Sequence, residues 1–154
     1  MNTKNVMIKL ASSNDWEQVW SLLEKRGATD SKEQAEIRFH SVIESTNYLL
    51  PIALVDDRIA GYGWAQDYGY HLRAGTKTTR FHDLFVLSEY RNQGVATAIF
   101  ETIKSWAKEN GSNWFTWNAN PTSSSFYTKL GYTPIPEEEE GFPFYEIEFK
   151  PMTR

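Results

Sequence analysis

The 154 residues contain no cysteine. That absence removes disulfides, thiolate metal sites and a cysteine nucleophile together. Glycine and proline are sparse at nine and six, and no low-complexity linker, internal repeat or marked domain boundary interrupts the chain. No apolar run approaches the length of a membrane span, and "MNTKNVMIKLASSNDW" holds no uninterrupted apolar leader segment. Positive charge is not in excess. Sixteen Lys and Arg against 20 Asp and Glu leave a net charge of -4, which argues against non-specific nucleic-acid binding. Aromatics are plentiful at 15%, six of them Trp, beside an ordinary 40% hydrophobic and 23% charged content. The expectation is one cytoplasmic domain over residues 1–154, with no nucleic-acid or membrane partner. Its oligomeric state is open, a homodimer included.

Periodicity supplies the elements. "VMIKLA" alternates as a short strand. "SSNDWEQVWSLLEKRG" reads as a helix burying Trp16, Val19, Trp20 and Leu23 and ending at Gly27. Ser31 and Gln34 make a capping box for a second helix carrying Ala35, Phe39, Val42 and Ile43. "PIALVDDRIAGYGWAQDYGYHL" reads as two strands joined at Asp56-Asp57, and "TRFHDLFVL" as another. A helix with Val95, Ile99, Ile103 and Trp106 on one face follows. A strand "NWFTWNA", a short helix "PTSSSFYTKLG" and a final strand "FPFYEIEF" complete the order. Strands interleaved with helices in this way predict an α/β fold, a three-layer α/β/α sandwich around a mixed central sheet.

The stretch "RNQGVAT" lies where a strand hands over to a helix. Gly94 removes a Cβ that would keep a diphosphate from the backbone, and Ala96 keeps the second turn open. The N–H groups of Gln93, Gly94, Val95, Ala96 and Thr97 are the unpaired first donors of the helix, with the macrodipole behind them. Arg91 adds a positive charge. An ordinary glycine turn before a core helix would read the same way in isolation.

The surrounding pattern decides the context. Arg91-x-x-Gly94-x-Ala96 is followed by a helix, a strand, Asn120 and then Tyr127 in "FYTKLGY". From about Thr79 to Phe149 this resembles the GNAT superfamily of acyl-CoA-dependent N-acetyltransferases; earlier, only the order of elements matches. The resemblance implies acetyl-CoA as acyl donor, with the turn from Arg91 through Asn92 to Thr97 on its pyrophosphate. It implies that a backbone N–H around Phe85 and Val86 binds the thioester carbonyl, and that Asn120 touches the pantetheine arm. Asn120 before Pro121 also fits a helix N-cap, so two roles compete for that side chain. Pro121 and the run Ser123-Ser124-Ser125 depart from the Ala-rich pattern usual in the family.

Tyr127 stands where the family places the general acid that protonates the departing thiolate. A phenol of pKa about 10 can protonate a thiolate whose acid has pKa about 8.5 when the two are held together. Packing beside Phe126 is its plainer role. For the base, Asp83 and His82 are the nearest candidates, and adjacent strand residues face opposite ways, so at most one of them can face the acceptor. Trp64, Tyr68, Tyr70, His71, Phe142 and Tyr145 could form an aromatic acceptor wall, with Glu137 to Glu140 attracting a cationic amine. A solvated loop is the alternative for those glutamates. Three scattered histidines without cysteine form no metal site.

The expected activity is transfer of acetyl from acetyl-CoA to a primary amine, on a small molecule or a peptide, by direct attack in a ternary complex. No nucleophile constellation points to a covalent intermediate. The competing class is a non-catalytic acyl-CoA-binding sensor module.

Overall fold

The computed structural model describes residues 5–135 and 141–149. The chain divides into two compact units, Met1–Asn118 and Ala119–Arg154. The first runs β1 (Val6–Leu10), α1 (Trp16–Arg26), α2 (Lys32–Glu44), β2 (Tyr48–Leu49), β3 (Pro51–Val55), β4 (Arg58–Tyr70), β5 (Lys77–Val86), α3 (Val95–Glu109) and β6 (Trp114–Thr116). The second contains α4 (Ser124–Lys129).

Local chemistry sets the boundaries. Gly27 closes α1 at φ 116° and donates its N–H to Leu23 O at 3.0 Å, a left-handed cap that a β-carbon would penalise. Ser31 Oγ accepts the Gln34 N–H at 3.2 Å and caps α2. Asp56 and Asp57 take φ of 49° and 66°, the twin left-handed pair of a two-residue hairpin, so β3 returns directly as β4.

The sheet is mixed. Its order is β1-β3-β4-β5-β6, with β2 also on β4; only the β5-β6 pair is parallel. Successive residues of β4 face opposite layers, as the pleat requires. Tyr62 joins Trp16, Val19, Leu22, Ala35 and Phe39 in the core beneath α1 and α2. A β-carbon on Gly63 would instead meet Ile99 and Ile103 of α3. Helices therefore cover both faces, giving the three layers expected. On α3 the buried stripe is Val95, Ile99, Phe100, Ile103 and Ala107; Trp106 is only half-buried.

The elements differ from expectation in four places. The two-residue β2 was not foreseen. β6 is confined to Trp114–Thr116, and α4 starts at Ser124 after a turn rather than at Pro121. The segment 142–149, expected as a final strand, forms no ladder among the described residues, and Phe142, Phe144, Ile147 and Phe149 are exposed. Aromatic and β-branched content favours a strand, but a strand exists only once it has a partner. Glu137 to Glu140 lie outside the described residues.

Gly61 marks a close approach of β4 to β5. A β-carbon there would sit 2.5 Å from the Phe85 carbonyl oxygen, and backbone cannot rotate away as a side chain can. Gly61→Ala is expected to destabilise the fold by about 1–3 kcal/mol, the usual cost of overpacking. Urea unfolding should show a lower midpoint with an unchanged slope; an unshifted midpoint would mean the strands separate without cost.

Candidate active site

The geometry of β5 organises the site. It pairs with β4 along its length but with β6 only at Thr78–Arg80. From Phe81 to Val86, the edge turned away from β4 therefore meets no strand among the described residues. Leu87 N donates to Ala60 O at 2.8 Å, and ladder polarity alternates, so the Val86 N–H and C=O point to that open edge. The carbonyl is taken by Arg91 Nε at 3.1 Å. Of the two residues expected around the thioester, Val86 is the one whose N–H faces outward.

The turn follows at once. Asn92 and Gly94 adopt φ of 62° and 83°, so the backbone folds into the kind of concavity that gathers N–H groups toward an anion. No side chain caps α3. Its ladder begins with Ala98 N donating to Gly94 O at 3.0 Å, which leaves the N–H groups of Val95, Ala96 and Thr97 ahead of it. A β-carbon on Gly94 would meet nothing within 4 Å, so the protein itself leaves that space open. Arg91 keeps its outer guanidinium nitrogens beyond the Val86 contact. Gln93 donates to Glu89 O at 3.0 Å and braces the turn.

A β-bulge alters the face assignment of the base candidates. Trp64 pairs with Asp83, but Ala65 pairs with Phe81, so His82 is the extra residue on β5. Phe81 packs on Phe100 of α3. His82 and Asp83 both turn to the opposite face: the His82 ring lies 4.4 Å from Trp64, and Asp83 Oδ2 accepts the Tyr62 hydroxyl. The expectation that only one of the two could face the acceptor side fails here, because a bulge breaks the two-residue period.

Asp83 is held on three sides. Beyond Tyr62, its Oδ1 accepts Arg26 Nε at 3.2 Å and its own neighbour Leu84 N at 3.0 Å. Burial first, and the Asp83 carboxylate second, push the Tyr62 phenol far above its usual value, so it stays a proton donor. Burial first, and Arg80 second, hold the His82 imidazole below its usual value. His82 Nε2 lies 2.9 Å from Gln66 Oε1; with that oxygen accepting, Nδ1 carries the lone pair.

Asp83, Tyr62, Trp64 and Arg26 line a cavity of about 770 Å³ bounded by α1, α2, β2, β4 and the segments joining them. Tyr62 and Arg26 were not singled out from the sequence, and only the fold brings them to Asp83. Of the aromatic residues expected on β4 and the turn after it, Trp64 lines this cavity, whereas Tyr68, Tyr70 and His71 do not. Tyr70 lies under the Lys77 ammonium at 4.7 Å, and His71 Nδ1 accepts the Ala74 N–H of its own turn.

In the second unit, Asn120 Oδ1 accepts Thr122 N, Ser123 N and the Thr122 hydroxyl at 3.0, 2.8 and 2.7 Å. These bonds close the turn 120–123 ahead of α4, whose N-cap is Ser123, so Asn120 is not the helix N-cap expected, and its carbonyl oxygen is taken by the turn. Tyr127 is buried on α4, with its ring 5.0 Å from Phe126 in an edge-on contact.

Comparison with known proteins agrees with this geometry. A family model described as an acetyltransferase (GNAT) domain matches residues 23–154. No curated protein sequence matches significantly. Among solved structures, glucosamine-6-phosphate N-acetyltransferase from Arabidopsis thaliana is 18% identical with a TM-score of 0.76, covering 90% of this chain and 98% of that one. The aminoglycoside N-acetyltransferase AAC(6')-Iy, solved with CoA, is 16% identical with a TM-score of 0.76, covering 95% and 97%. Ribosomal-protein-alanine N-acetyltransferase from Brucella melitensis is 18% identical with a TM-score of 0.70, covering 94% and 100%. With the family model spanning most of its length, the chain belongs to the GNAT acetyltransferase family.

Proposed function

We propose that the protein moves an acetyl group from acetyl-CoA to a primary amine by direct attack in a ternary complex, its two units acting as one N-acetyltransferase domain. The observation that carries this reading is the turn from Arg91 to Thr97. It opens α3 without a side-chain cap, beside an open strand edge, inside a family match that runs from residue 23 to 154.

In this reading the diphosphate of coenzyme A sits on the N–H groups of the Arg91, Asn92, Gln93, Gly94, Val95, Ala96 and Thr97 turn, with Arg91 supplying charge. The Val86 N–H receives the thioester oxygen as it gains negative charge, with Phe85 holding that strand against β4. Asn120 contacts the pantetheine arm through its amide nitrogen, and Tyr127 returns a proton to the leaving thiolate. The cavity takes the amine, and Asp83, fixed by Tyr62 and Arg26, orients it by charge. Three donors already occupy that carboxylate, so the proton passes to His82 Nδ1, directly or through water.

Two measurements test this. Calorimetric titration with CoA should show one site, and amine-dependent release of thiol from acetyl-CoA should be catalytic. Neither binding nor release would end the reading.

The proton acceptor has its own test. A histidine held below its ordinary value of 6.5 is neutral through physiological pH. It stops accepting protons only as pH falls through its lowered pKa. The profile of kcat/KM for the amine should therefore be flat near neutrality and fall on the acid side with a midpoint below 6.5. His82→Gln should lower the plateau and remove that limb. An unchanged limb in the variant would assign the proton to another group.

A further inference from the structure

We propose that the acceptor is a primary monoamine on an apolar body, an arylalkyl- or alkylamine, and not a polycation or a phosphorylated amino sugar. This rests on reading the cavity as the amine pocket of an acetyltransferase, and it follows from what lines that cavity.

Its volume of about 770 Å³ suits a small molecule. The walls are Val19, Leu23, Val42, Leu50 and Trp64, with Phe39 behind them. The charged lining is one carboxylate, Asp83, and two guanidinium groups, Arg26 and Arg38. Both cations are engaged. Arg38 binds Asp30 through two hydrogen bonds of 2.7 Å, and Arg26 binds Asp83 at 3.2 Å. A phosphate entering would bring further negative charge beside Asp83 and would compete with the carboxylates that already neutralise both guanidinium groups. A polyamine or aminoglycoside would bring several ammonium groups to a pocket with one carboxylate and two like charges. Each extra ammonium would lose water without gaining a partner, which is among the costliest forms of burial. A single ammonium can share Asp83 while its carbon skeleton lies on the apolar walls.

The test uses the full chain with saturating acetyl-CoA and five probes: tyramine, 2-phenylethylamine, hexylamine, spermidine and glucosamine 6-phosphate. Thiol release gives kcat/KM, and calorimetry in the presence of CoA gives affinity independently of turnover. The expected result is a kcat/KM for the three apolar amines at least tenfold above that for the last two. Val42→Trp, which fills the cavity, should raise the apolar-amine KM tenfold or more. Ser41→Trp, at an exposed lining position that does not threaten folding, should do so too, and neither should change CoA affinity. Preference for spermidine or the sugar phosphate would overturn the proposal, as would an apolar-amine KM indifferent to both variants. If calorimetry shows apolar amines binding in the cavity but no thiol is released, the pocket assignment stands and the catalytic reading fails. If CoA binds and no apolar amine does, the pocket assignment fails while the cofactor reading stands.

Discussion

Gly94→Glu is expected to abolish coenzyme A binding, from the affinity of the parent protein to none measurable by calorimetry. Three effects act in one direction. The residue sits at φ 83°, where a side chain strains the backbone by about 1–2 kcal/mol. Its β-carbon would project into the open space before α3, where nothing of the protein lies within 4 Å. A carboxylate placed there repels a diphosphate at the point where the backbone N–H groups and the helix dipole should attract it. Gly94→Ala separates these effects. It carries the same strain and a single methyl but no charge, so it should weaken binding without eliminating it. Undiminished affinity in Gly94→Glu would remove the turn from the cofactor site.

Tyr127→Phe carries the second large expected effect. The substitution keeps the ring and its edge-on contact with Phe126 while removing only the hydroxyl. If the phenol protonates the leaving thiolate, turnover should fall by about two to four orders of magnitude, equivalent to about 3–5 kcal/mol on the barrier. Affinity for CoA should change little, because the turn proposed for the diphosphate is left intact. The measurement is kcat under conditions where chemistry limits the rate. Parental turnover would mean that the hydroxyl is structural and that another group protonates the thiolate.

Where local physics decides, the chain was legible. The Ser31 cap, the Gly27 stop and the Asp56-Asp57 hairpin each depend on a few adjacent residues, and each appears where expected. The buried stripe of α3 follows equally from helical spacing. Features set by a partner strand were not legible. The bulge at His82 depends on how β4 registers against β5, and nothing in "FHDLFV" announces it. β2 is two residues long and exists only through its pairing with Gln66 and Ala65. The aromatic and β-branched content of "FPFYEIEF" promised a strand, yet composition does not specify a pairing partner.

The same division runs through the site. The turn at Arg91 to Thr97 could be read because its residues are contiguous and their spacing has a physical purpose. The cavity proposed for the amine could not, because it joins Arg26, Tyr62 and Asp83 from α1, β4 and β5. The one advance signal was weak: Tyr62 and Trp64 stand two apart on a strand, hence on one face, opposite an acidic residue of the next strand. A fold-level family likeness does not identify an acceptor. The charge and apolarity of the cavity walls bear on that question more directly.

The central claim is acetyl transfer from coenzyme A straight to an amine, and initial-velocity kinetics test it most directly. Thiol release should be measured while acetyl-CoA and tyramine are varied together, with the product identified by mass. The account predicts N-acetyltyramine formed in step with thiol, and reciprocal plots that intersect, as a ternary complex requires. Parallel lines would contradict direct attack by pointing to an acetylated enzyme, and a protein that binds CoA yet acetylates no amine would contradict the enzyme itself.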